Sequence, residues 1–117
     1  MFDSMISNVV EFFRAVWEFV KKRTVEIVNF VKNIVLWFKE PSILQMLKQN
    51  RKLLAVSIKK NLEANNYNVI NCLYDTEKED IVGDYDVSNQ YADGIESKGL
   101  DSETKNSFGD KDMIILK

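Results

Sequence analysis

VVEFFRAVWEFVKKRTVEIVNFVKNIVLWFKE, residues 9–40, holds neither Gly nor Pro, and its polar and apolar residues recur with a helical period. At ~100° per residue, Glu11, Arg14, Glu18, Lys21, Lys22, Glu26, Asn29, Lys32, Asn33, Lys39 and Glu40 fall within one arc of about 140°. The opposite half is filled by Val9, Val10, Phe12, Phe13, Val16, Trp17, Phe19, Val20, Ile27, Val28, Phe30, Val31, Ile34, Val35, Trp37 and Phe38. Arg23 is the one clear charged exception. Val9-Val10-Glu11-Phe12-Phe13-Arg14 aligns by class with Ile27-Val28-Asn29-Phe30-Val31-Lys32, an offset of eighteen residues, or five turns. The apolar face therefore stays in register, and the pattern predicts one long amphipathic helix over residues 1–40. A 3.5-residue heptad mixes charged with apolar positions here, so the spacing argues for a wide contact face rather than a two-stranded coiled coil.

Pro41 cannot continue a helix interior, and it biases Glu40 towards extended geometry, so the chain is expected to bend there. Ile43, Leu44, Leu47, Leu54, Ile58 and Leu62 then share a stripe, which predicts a second helix over 41–65 stopped by Asn65-Asn66. All four glycines and all four tyrosines lie beyond residue 65. Residues 66–117 accordingly read as a small β-rich module. Within it the pattern predicts a hairpin of Tyr67–Tyr74 and Glu79–Val82, a mostly irregular stretch from Tyr85 to Leu100 with room for another short strand, a short helix from an Asp101 cap to a Gly109 stop, and a final strand at Met113–Leu116. The expected fold class is α+β, with a long N-terminal amphipathic helix, a second helix after Pro41, and a C-terminal β-rich module carrying a short helix.

Charge divides the chain the same way. Residues 1–63 carry eleven basic and six acidic side chains, whereas 64–117 carry five basic and twelve acidic. The front suits anionic surfaces and the back opposes them. The single cysteine, Cys72, cannot form an intrachain disulfide, and the N-terminus lacks the cationic start of an export signal. These features point to a reducing, cytoplasmic interior, with a membrane-peripheral location open to the amphipathic helix. No run approaches the ~20 apolar residues of a spanning helix.

Chemistry is sparse. There is no histidine, and one cysteine cannot build a thiolate zinc site. Cys72 lies in an apolar strand pattern and reads as a buried structural thiol. Asp84-Tyr85-Asp86-Val87-Ser88 begins like a calcium loop, but Asn89 stands where the turn glycine belongs and Ile95 where the bidentate glutamate belongs. No catalytic residue, metal or cofactor is expected, and the chain reads as non-enzymatic.

The function expected from the sequence is interaction. A forty-residue helix spans about 60 Å, while a ~50-residue module is about 20–25 Å across, so much of the apolar face needs a partner. Phe12, Phe13, Trp17, Phe19, Phe30, Trp37 and Phe38 are the expected hydrophobic anchors, in a homo-oligomer or larger protein assembly. The alternative is an anionic membrane surface met by the basic edge Arg14, Lys21, Lys32 and Lys39. A third reading places nucleic acid against Lys48, Arg51, Lys52, Lys59 and Lys60 on the second helix, opposed by the acidic tail and the pI near 5.2.

Overall fold

Every residue from Val69 to Tyr74 is buried, so the strand that carries them needs cover on both of its faces. A computed structural model describes residues 8–116 and shows how that cover is provided. The elements run α1 (Val9–Phe19), β1 (Lys22–Val25), α2 (a wide π-helical turn, Phe30–Val35, continuing as α-helix Leu36–Phe38), α3 (Pro41–Gln49), β2 (Leu53–Asn61), β3 (Tyr67–Asp75), β4 (Asp80–Ile81), β5 (Ala92–Ser97), α4 (Ser102–Phe108) and β6 (Met113–Leu116). The strands form one sheet in the order β1-β5-β3-β2-β6, with β4 paired to β3 beside this path. β1 runs parallel to β5, and the other pairings are antiparallel.

Side chains alternate across the sheet. Val56, Ile58, Ile70, Cys72, Ala92 and Met113 point to one face, where Phe13, Val16 and Val20 of the α1 region cover them. Ala55, Val69, Leu73 and Ile95 point to the other, under Ile34 and Phe38 of α2, Ile43 of α3 and Phe108 of α4. The Cys72 thiol lies in the first of these layers, and burial pushes its pKa up to about 12, so it is inert as a nucleophile.

The α+β class holds, with a helix at 9–19 and the short helix and last strand where the sequence put them. Asp101 caps α4 by accepting from the Thr104 N–H, and Gly109 ends it with φ of 61°. The expected helix over 1–40 is corrected: residues 1–7 lie outside the described residues, α1 stops at Phe19, and the greatest extent of the described molecule is 38 Å. Val20 is already extended (ψ 146°). The Lys22 ammonium turns back to donate to the Val20 carbonyl at 3.1 Å and lies 5.1 Å from the Trp17 ring, closing the helix end. Beyond it, the β-branched pair Thr24 and Val25 favours β1.

The second helix is also corrected. It starts at Pro41, which fits the first turn of a helix, but ends at Gln49, and Leu53–Asn61 is a strand, buried on both faces from Ala55 to Ile58. Ala64 and Asn65 adopt positive φ in the connection to β3 rather than ending a helix. Strands drawn from residues 1–40, 41–65 and 66–117 pair in one sheet, so the three expected parts share one core.

Gly94 lies close under the end of α1. A Cβ there would fall 2.9 Å from Val20 Cγ1 and 3.1 Å from Trp17 Cζ3. Gly94→Ala is expected to destabilise the fold by about 1–3 kcal/mol. Combining it with Val20→Ala should cost less than the two single changes added together, because the smaller side chain relieves the clash; urea unfolding of the three variants measures this coupling.

Candidate interaction surface

The seven expected anchors do not share a surface. Phe12, Phe13, Trp17 and Phe19 pack against one face of the sheet, and Phe30, Trp37 and Phe38 against the other. Phe13 and Phe38 are buried and the other five half-buried. Phe12 meets Tyr74 edge-on, Phe13 stacks on Trp17, and Phe19 tilts against Tyr85. The apolar face that called for an external partner is thus met largely by the chain's own sheet.

The basic edge is divided in the same way. Arg14 is on the exposed side of α1, where it pairs with Glu11 at 3.3 Å; Lys21 lies in the turn after that helix; and Lys32 and Lys39 are exposed on and just after α2, across the sheet. The basic helix proposed for nucleic acid is replaced by α3, a turn and β2. Lys48 is on α3, Arg51 and Lys52 are in the turn, and Lys59 and Lys60 lie near the far end of β2. Lys52 pairs with Glu77 at 2.7 Å and Lys59 with Asp112 at 3.3 Å.

Two features were not foreseen from the sequence. The first is a polar row across the α2 face of the sheet: Ser57 on β2 stands opposite Asn71 on β3, and Asn71 opposite Asp93 on β5. The Ser57 hydroxyl donates to Asn71 Oδ1 at 2.9 Å, and Asn71 Nδ2 donates to the Asn33 carbonyl of α2 at 2.9 Å. Asn29 and Asn33 hold that helical turn open, since Asn29 Oδ1 accepts from the Lys32 N–H and Asn33 Oδ1 from the Asn29 N–H. Arg23 donates to Asp93 at 3.0 Å. Its departure from the polar arc of the sequence was the one visible sign that the helix breaks there. Burial pushes the Asp93 carboxyl above the usual carboxylate range, and the nearby Arg23 guanidinium offsets this only in part. Among the described residues no buried side-chain nitrogen or oxygen lacks a partner, and the row is structural: Ser57 and Asn71 tie β2 and β3 to α2, and Asp93 ties β5 to Arg23 of β1.

The second feature is an open sheet edge. β6 pairs with β2 on one side, and among the described residues no strand pairs with its other side. The Lys59 N–H donates to the Asp112 carbonyl at 2.8 Å, which sets the ladder phase: in the register Ser57↔Ile114 and Ala55↔Leu116, the main chains of Ile114 and Leu116 face β2. Those of Met113 and Ile115 therefore point outward. A groove of about 560 Å³ runs along this strand, bounded by Phe30, the end of α4 from Asn106 to Phe108, and the turn at Gly109–Lys111. The opposite edge strand, β1, carries Lys22 and Arg23, charges of the kind that guard edges against pairing. Met113–Leu116 carries none.

No protein-family model, curated protein sequence or solved structure matches the chain. Among the described residues no group of His, Cys, Asp and Glu is placed to hold a metal ion, and no helix is long and apolar enough to cross a membrane.

Asn71→Ala is expected to cost about 2–4 kcal/mol, because it strands both the Ser57 hydroxyl and the Asn33 carbonyl, whereas Ser57→Ala should cost about 1 kcal/mol. Equilibrium urea unfolding separates the two. Asp93 governs a pH dependence. Its raised pKa means that the folded chain binds a proton just above the usual carboxylate range while the unfolded chain has released it, so this group makes stability fall as pH rises through that window. Asp93→Asn should flatten the slope measured from about pH 4 to about pH 6.

Proposed function

We propose that this chain is a non-enzymatic interaction module that binds an extended strand at the outer edge of β6. The observation that carries this reading is the outward-facing main chain of Met113 and Ile115 on an uncharged apolar strand paired on one side only. Outward N–H and C=O groups two residues apart supply directional bonds to an added strand, and the adjoining groove receives its side chains. The edge takes over the role first given to the N-terminal helix, whose aromatic side chains pack against the sheet. A membrane-peripheral reading retains support from Ile27, Val31 and Leu36, which are 49%, 45% and 52% exposed, with Lys32 and Lys39 close by in sequence.

Selecting extended peptides by display against the full chain tests the first reading. Selected peptides should shift the amide resonances of Met113 and Ile115 and leave those of the outer side of α1 unchanged. Ile115→Pro should weaken binding at least tenfold, since proline removes an outward N–H while the β2 ladder stays intact. Peptides that map to α1 or α2, or that bind Ile115→Pro equally well, contradict it. Sedimentation with anionic vesicles that is abolished by Val31→Glu supports the membrane reading instead.

A further inference from the structure

We propose that the strand added to β6 is the β6 of a second copy of this chain, paired antiparallel about a two-fold axis at Ile114. The inference rests on the edge reading above and names its occupant. Residues opposed across an antiparallel pair point to the same side of the sheet, so a two-fold axis perpendicular to the sheet must fall on a residue. With the axis at Ile114, Met113 of each copy opposes Ile115 of the other, and both outward-facing residues exchange main-chain bonds with the second copy. An axis at Ile115 would pair only that residue with its equivalent among Met113–Leu116. The Ile114 register also sorts the side chains. Met113 and Ile115 meet on the α1 face, where both belong to the apolar layer, and the two Ile114 side chains meet on the α4 face, beside the groove.

Charge and area decide between self-pairing and other arrangements. Met113–Leu116 has no charge, so two copies bring no like charges together along the strand. Pairing through β1 would bury Lys22 and Arg23, which prevents copies from adding edge to edge in an open chain and leaves a closed dimer. The strand offers about 13 Å of edge, and even with the groove this falls short of the ~800 Å² per partner of a standard stable interface. The dimer is therefore weak and depends on concentration.

Sedimentation equilibrium of the full chain is the test. The expected result is a monomer at ~10 µM that becomes largely dimeric by ~1 mM, with Ile115→Pro monomeric throughout. Ile114→Cys should form a disulfide-linked dimer under mild oxidation, while Lys22→Cys should not. Should Ile115→Pro fail to fold, amide exchange of the unaltered chain answers the same question: Met113 and Ile115 should gain protection as concentration rises. A monomer at ~1 mM, or a dimer whose Met113 and Ile115 amides exchange as in the monomer, overturns the proposal. If selected peptides still bind the edge of a chain that stays monomeric, only the identity of the occupant is wrong; if they do not, the edge reading falls with it.

Discussion

A sheet whose central strand is buried on both sides must be covered twice, and in this chain most of that cover comes from the first half. Val69, Leu73 and Ile95 need apolar cover on one face, while Ile70, Cys72 and Ala92 need it on the other. A single straight helix can lie against only one of them. The N-terminal segment solves this by breaking after Phe19, crossing the sheet edge as β1, and resuming as α2 on the far side. The break is held by Arg23 on Asp93 and by Lys22 folded back on the end of α1, so the cationic cluster that looks like part of a polar helix face acts as a crossing.

This explains which parts of the fold were legible in the sequence. Short elements bounded by residues with one strong local preference were readable: Pro41 starting α3, Asp101 and Gly109 bracketing α4, and the β3–β4 hairpin. The N-terminal break was hidden by an accident of spacing. Its two halves are offset by five full helical turns, so the periodicity runs on through a segment that is not helical. The stripe at Leu54, Ile58 and Leu62 misled for a related reason. A spacing of four is one helical turn and also an even number of strand positions, so it marks one face in either geometry. β2, buried on both sides from Ala55 to Ile58, has no alternation there to decide between them.

The candidate interaction surface was less legible than the fold because it is made of main chain. Met-Ile-Ile-Leu reads as a strand, but whether that strand ends a sheet or lies inside one depends on partners fixed far away in sequence. The polar row was hidden for the same reason. Ser57, Asn71 and Asp93 have no sequence spacing that unites them, and they become neighbours only through strand order. Once assembled, the row discriminates among registers, since a shift of one residue along β2 or β3 would turn its polar groups into the opposite apolar layer. Specificity of pairing inside the sheet and openness of pairing at β6 thus sit on adjacent strands.

The parallel pairing of β1 with β5 has a consequence for synthesis. Lys22 settles opposite Gly94 and Arg23 beside Asp93, so the chain through Ser97 must leave the ribosome before β1 can take its place in the sheet. Until then the crossing that carries the aromatic segment from one face of the sheet to the other stays open, and pairing of such long sequence separation is slow to close. Over that interval the aromatic side chains of the α1 and α2 segments lack the finished sheet that covers them, and exposed apolar surface of that kind is prone to aggregate.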